Sequence, residues 1–397
     1  MSHKKLMSQM VSLILVSLLL TACIAAQTTS TPVPPATAPP TTMPPTPVPP
    51  TPVPPTPVPP TPVPPTPIPP TPIPPTAVVA LNPSPRGYVS MAYDAESDQI
   101  ILFGGTTGNI FLAGYTDPDD TWTYDVAANK WTQMKPFSGP TGRAAAALAY
   151  DTESDRVILF GGGEIDAWDL DDTWAYDYNT NTWTEMAKGP AKHLGPRIAY
   201  DAESDRIILF GGYNLSGYYY NDTWAYDFNS NTWTEMKPST SPPGRNYQAI
   251  AYDAESDRVL TWGGMGLDEK LLAPNVWSYD FNQNMWQEME IGEGPHPQGA
   301  DYPAMVYDAK ADQTILFGGV SQEDETWAYD YNTNTWVKLE PSTVPGKLSR
   351  HAMAYSTAAD QVILFGGQVG ATQFKYTGET WTYDLNANMW TNATPHP

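Results

Sequence analysis

From Val89 onward the chain repeats one rhythm of apolar and polar positions. A short alternating run ends at a Tyr, as in Val89 to Tyr93, and a polar turn containing Asp94, Ser97 and Asp98 follows. A continuous apolar run, Ile100-Ile101-Leu102-Phe103, then closes on a double glycine. Alternation predicts a half-buried strand, and an apolar run bounded by Gly predicts a strand buried on both faces. After a stretch of variable length comes the alternating Trp122-Thr123-Tyr124. The polar turn Asp125 to Lys130 leads to a last strand, Trp131 to Met134. Asp and Asn suit such turns because their side chains bond the local backbone.

Six copies of this unit occur, with Gly pairs beginning at Gly104, Gly161, Gly211, Gly263, Gly318 and Gly366. A period near fifty residues with Gly-Gly and paired aromatics predicts a β-propeller, one four-stranded blade per repeat. Two spacings are invariant: eleven residues from the Tyr to the first Gly, and nine from the first Trp to the second. The others vary, from 9 to 18 residues between the Gly pair and the first Trp. In an antiparallel blade the two fixed turns emerge on one face and the two variable loops on the other. The variable face is therefore the candidate functional face.

The pattern Ala-Tyr-Asp…Ile-Leu-Phe-Gly-Gly…Asp-Thr-Trp-x-Tyr-Asp…Asn-x-Trp, as in Thr173-Trp174-Ala175-Tyr176-Asp177, resembles the kelch repeat. The resemblance implies an all-β, six-bladed kelch-type β-propeller with four antiparallel strands per blade. Its blades span about 84-136, 137-188, 189-239, 240-292, 293-341 and 342-397. Kelch-like propellers include protein-interaction domains, carbohydrate oxidases and sugar mutarotases, so the resemblance is specific for fold and not for function. Each copy contains its own outer strand, and Val78 to Leu81 offer a further strand at the seam, which leaves the manner of ring closure open.

The segment before the propeller (77-397) cannot fold as a domain. Residues 1-22 carry basic residues (His3, Lys4, Lys5) and then an apolar run, as in a secretory signal. Leu19-Leu20-Thr21-Ala22-Cys23 resembles the bacterial lipoprotein box, which implies lipidation of Cys23, the new N-terminus of a segment 23-31. Residues 32-76, dominated by Thr-Pro-Val-Pro-Pro, predict a polyproline II spacer. The expectation is an exported protein tethered by lipid to the bacterial cell membrane, at the outer surface or in the periplasm. With no second Cys there are no disulfides. A formal net charge of −23 disfavours nucleic acid and anionic lipid surfaces as partners.

On the variable face, exposed aromatics beside Asp and Asn would suit a glycan or a protein hot spot. These are Trp168, Asp166 and Asp169 in blade 2, with Tyr213, Tyr218, Tyr219 and Tyr220 in blade 3. Phe111 and Tyr115 in blade 1 and Phe374 and Tyr376 in blade 6 complete the set. A second candidate is the channel mouth. Seven residues before the Tyr stand Arg86, Arg143, His193 and Arg245, where blades 5 and 6 have Ala300 and Leu348. Arg197, Arg350 and His351 lie close in sequence. Placed at the start of the innermost strands, such arginines would grip a carboxylate; alternatively they pair with acids or carbonyls of a neighbouring blade.

Catalysis has little sequence support. The His residues lack metal-like spacing, and the kelch-like copper oxidases need a cysteine that the mature chain cannot spare. The Asp-rich loops, Asp117, Asp119 and Asp120 among them, raise calcium as a question. However, an acid two residues before the first Trp recurs in five blades (Asp120, Asp172, Asp222, Glu325, Glu379), which argues for a structural role. No cofactor or metal is expected. The reading is non-catalytic binding of an extracellular glycan or protein. The alternatives are a scaffold or adhesin, and a kelch-type sugar-acid mutarotase or epimerase. In the latter, Arg143, Arg245 and Arg350 would hold the carboxylate, with Glu164 or His193 moving the proton.

Overall fold

The computed structural model describes residues 82–395 apart from 109–114, 164–169, 192, 215, 268–269, 322–323 and 371–374. The chain divides into two units, Met1–Ile68 and Pro69–Pro397, and the described residues belong to the second. The signal, Cys23, the proline-rich segment and Val78 to Leu81 lie outside the described residues.

Six four-stranded antiparallel sheets, each built from one repeat, form a six-bladed β-propeller. Blade 1 runs Ser90–Asp94, Gln99–Phe103, Thr121–Asp125 and Lys130–Met134 from axis to rim. Blade 6 repeats the order with Ala352–Ser356, Gln361–Phe365, Thr380–Asp384 and Met389–Asn392. Among the described residues no blade borrows a strand from the far end of the chain.

The second strand explains the continuous apolar run. Successive side chains point to opposite faces, so Ile100 and Leu102 pack toward blade 6 while Ile101 and Phe103 pack toward blade 2. Six clusters of the core each lie between two adjacent blades, and a seventh, of Ala145, Leu194, Tyr247 and Tyr302, brings several blades together. The second Trp of each repeat anchors the junction with the blade before it. Trp183 packs edge-on against Phe103 of blade 1 and donates its indole N–H to Thr121 Oγ1. Trp233, Trp286 and Trp390 bond Thr173, Thr223 and Thr326 in the same way. The junction of blades 4 and 5 differs: Val276 replaces the Thr, Trp262 replaces the Phe, and Trp336 packs on Trp262 with a ring separation of 6.0 Å.

The fixed spacings have a direct cause. In every blade the Tyr hydroxyl donates to an Asp five residues on, as Tyr93 does to Asp98 Oδ1. The third-strand Tyr does the same to an Asn five residues on, as Tyr124 does to Asn129. Each of those Asp and Asn residues sits at positive φ, a conformation they tolerate better than most side chains. An insertion would break both the turn and its clamp. The Gly pair is constrained by a neighbour: Gly104 has φ 68°, and a Cβ there would lie 2.4 Å from the Arg143 carbonyl oxygen of the next blade.

Candidate functional site

The variable loops do share one face. Gly142, which opens blade 2, sits against the Asp117 carbonyl in the blade 1 loop, and the Arg245 N–H donates to the Tyr220 carbonyl of blade 3. At the centre of this face, the residue five positions before each repeat Tyr turns through the left-handed region: Tyr88, Ala145, Gly195, Tyr247, Tyr302 and Arg350. Five N–H groups of this ring donate to the equivalent carbonyl of the preceding blade, from Tyr88 N–H to Arg350 O at 2.8 Å round to Arg350 N–H to Tyr302 O at 3.2 Å. A left-handed bulky residue is strained by about 1–3 kcal/mol and persists only where its surroundings over-determine it. Here the ring of backbone bonds supplies that constraint.

The side chains of this ring close over the channel. Tyr247 stacks on Tyr302 at 4.2 Å, and Tyr88 meets Tyr302 edge-on at 5.4 Å. The Arg350 guanidinium lies 3.9 Å from the centre of the Tyr302 ring and 5.1 Å from that of Tyr88. Its charge is felt by the buried Asp301, although burial still leaves that carboxyl above the usual range. Tyr247 and Tyr302 are themselves buried, and the aromatic cluster continues outward from them to the surface. Tyr213 meets Tyr247 edge-on at 6.2 Å and stacks on Tyr219 at 5.7 Å. Tyr218, 55% exposed, packs edge-on against Tyr220. Asn214 organises this loop: its Oδ1 accepts from the backbone N–H groups of Ser216 and Tyr218, and its Nδ2 donates to the Tyr220 hydroxyl.

Of the aromatics named from sequence, Tyr213, Tyr218 and Tyr219 belong to this surface. Tyr220 faces inward, its ring 3.9 Å from that of His193. Tyr376 is buried, its ring filling the space that a side chain at Gly87 would need. Tyr115 is half-buried in the blade 1 loop beside Gly108. Phe111, Asp166, Trp168, Asp169 and Phe374 lie outside the described residues, as does Glu164. The sequence reading missed Tyr88, Tyr247 and Tyr302. Aligning the repeats on their Tyr exposes all three at one position.

The channel-mouth expectation needs correction. Arg86, Arg143 and Arg245 do not converge. Each is buried within its own blade, because the chain reverses two residues later and leaves the side chain pointing back beneath its own loop. Arg86 forms a two-armed pair with Asp120, at 2.5 and 3.0 Å, and donates to the Gly104 carbonyl. Asp120 also accepts the Trp122 indole N–H at 2.7 Å, so an Asp weighed for calcium is already committed. Arg143, Asp172 and Trp174 repeat the unit, and the partner is the blade's own acid, not a neighbour's. Burial pushes the Asp172 carboxyl up, but Arg143 and the Trp174 indole outweigh it and hold it below the usual range. In blade 3 His193 takes the Arg position, fully buried, with Nε2 3.8 Å from Asp222, beyond hydrogen-bonding distance. In blade 4 Asn275 replaces the acid. Arg245 is left with carbonyl acceptors, and burial pushes it down to about 10 against the opposing pull of Glu288. The three arginines and the histidine of the mutarotase reading therefore do not assemble into one site. Arg350 and His351 do lie at the axis, the latter beneath the Tyr ring.

A propeller of Tyr-clamped blades, with Arg–acid–Trp units in its first two, is a kelch-type repeat protein. The family described as the KLHDC2/KLHL20/DRC7 Kelch-repeats domain matches residues 74–255, 186–367 and 251–397, and the chain belongs to the kelch-repeat family. Kelch domain-containing protein 10 of Homo sapiens is 33% identical over 93 residues, 22% of this chain and 19% of that protein. Its Xenopus tropicalis counterpart is 30% identical over 90 residues, 22% and 20% of the two chains. The matched segment thus spans about a fifth of these relatives.

Proposed function

We propose that this chain is a non-catalytic binding protein that docks a protein partner on the tyrosine surface of the variable face. One observation carries the reading: Tyr213, Tyr218 and Tyr219 stand together at the variable face, backed by a buried core of Tyr247 and Tyr302 with Tyr88 and Arg350 packed on it. Tyr and Arg are the residue types that dominate binding hot spots. Rigid rings lose little conformational entropy on binding, and a strained backbone ring holds these in place. Membership of the kelch-repeat family, many of whose propellers bind proteins, supports the same choice. A lipid on Cys23 and the proline-rich segment would display this face in the bacterial envelope, so the partner is extracellular or periplasmic.

The experiment is chemical cross-linking on intact cells expressing the full chain, wild type beside a Tyr213→Ala, Tyr218→Ala variant of equal Tm. A specific protein adduct that falls at least tenfold in the variant supports the proposal. An adduct unaffected by the variant places the partner elsewhere. No protein adduct, with saturable binding on a glycan array, replaces the protein partner by a sugar.

A further inference from the structure

Five of the six residues three positions before the repeat Tyr are small: Ser90, Ala147, Ala249, Ala304 and Ala352. The sixth is Arg197. All six line one cavity of about 110 Å³ in the central channel, enclosed by the innermost strands. Arg197 Nε donates to the Gln248 carbonyl at 3.0 Å and Nη1 to the Pro196 carbonyl at 3.1 Å. Both acceptors are neutral. Among the described residues no acid pairs with it, and the groups nearest to balancing its charge are the uncharged phenols of Tyr247 and Tyr302. The other axial arginine, Arg350, has Asp301 within its field, and Arg86 and Arg143 have their own Asp.

A guanidinium does not shed its proton in a protein. Burial disfavours the charge of Arg197 without removing it. A buried charge left uncompensated is strongly destabilising. Part of the Arg197 surface faces the cavity, where a mobile counter-ion can reach it. The same cavity is lined by His351, whose two ring nitrogens are buried with no close hydrogen bond, the Phe317 backbone lying within reach of the ring. Burial pushes that imidazole down to about 3, the Phe317 backbone opposing the shift and the Arg197 charge adding to it. His351 is therefore neutral at physiological pH, a polar ring with one N–H and no charge of its own beside the Arg197 guanidinium.

We propose that the central channel binds a small monovalent anion, a halide or a short carboxylate such as formate, between Arg197 and His351. A water molecule occupies about 30 Å³ of liquid. The cavity therefore has room for one such ion together with water. The site is separate from the docking face. Tyr88, Tyr302 and Arg350 stand between the two, sharing a second, nearly filled space with Arg197 and His351.

The test is thermal unfolding of the full chain at constant ionic strength, replacing sodium gluconate, a bulky and weakly binding anion, by chloride, bromide or formate. The wild type should gain more than about 2 °C in Tm with saturation, and Arg197→Met should show no gain. Bromide-soaked crystals should show an anomalous peak beside the Arg197 guanidinium. An equal response in Arg197→Met, or no response in the wild type, overturns the proposal. If the variant does not fold, the wild-type map decides: an empty channel in bromide overturns it, and a peak there sustains it.

Discussion

The indole N–H of Trp131 donates to Thr380 Oγ1 at 2.8 Å, joining the first blade to the last across 249 residues of sequence. The Trp131 ring also packs on Phe365, at 5.1 Å. This is the contact that Trp183 makes on blade 1 and Trp390 on blade 5, so the ring closes through an ordinary junction. Thr380→Val would leave a buried indole N–H unpaired and should cost about 1–3 kcal/mol. Denaturant unfolding checks it. In a Trp131→Phe background the same substitution should be nearly silent.

The junction of blades 4 and 5 lacks that bond because Val276 stands where five blades have Thr. Val276→Thr should therefore stabilise the chain by about 0.5–1.5 kcal/mol through the Trp336 indole, read as a rise in unfolding midpoint with unchanged slope. No gain would mean that the Trp262–Trp336 packing holds the indole out of reach.

Asn275→Asp should complete the Arg–Asp–Trp unit that blade 4 lacks. The carboxylate would face Arg245 and the Trp277 indole. Nearby Glu288, which accepts from Asn275 Nδ2 at 2.5 Å, would repel it. A net gain of about 1 kcal/mol is expected, less than a hydrogen bond to a charged group gives alone. Thermal melts in low and high salt should show the gain surviving screening, since Arg245 is buried.

Two aspartates should respond to acid with opposite signs. Asp172 is held below the ordinary value of 3.8, so its stabilisation is complete above that pH and is lost as pH falls through the lower folded value. Asp172→Asn should lower Tm at pH 7, and the gap should shrink in acid. Asp201 is raised, chiefly by burial. Its charge opposes folding at neutral pH and is relieved as pH falls. Asp201→Asn, which can still cap the Ser204 N–H, should hold or raise Tm at pH 7, with the difference vanishing below 3.8. Paired melts from pH 3 to 7 test both.

Arg350→Lys keeps the charge and loses the planar stack on Tyr302 and Tyr88. It should cost about 0.5–2 kcal/mol of stability and lower the yield of the protein adduct. An unchanged adduct would confine Arg350 to a structural part.

The propeller was legible because its signals are local. Tyr to Asp and Tyr to Asn at five residues are each written within one turn, and Gly-Gly recurs at a fixed distance from the Tyr. The Trp framework was legible for the same reason. The channel mouth was not. Whether Arg86 points to the axis or back under its own loop depends on the left-handed turn at Tyr88. Nothing in the composition of that position, which holds Tyr, Ala, Gly or Arg, announces positive φ. The Tyr rings that do meet at the axis come from three blades and are neighbours only once the ring is closed. Arg197 drew notice as a nearby arginine, but its lack of an acid partner among the described residues is a fact of three-dimensional placement.

Closure by an ordinary junction has a mechanical consequence. Asn82, where the described chain begins, donates from Nδ2 to the Pro395 carbonyl at 2.7 Å, so both ends of the propeller leave at the seam between blades 1 and 6. Tension along the chain at Asn82 loads this bond first, then the backbone bonds of Arg86 and Tyr88 to blade 6, and then Trp131 and Thr380. With no strand shared across the seam among the described residues, the ring should open under pull as a clasp does, into an arc of intact blades, once this one junction and its core cluster part.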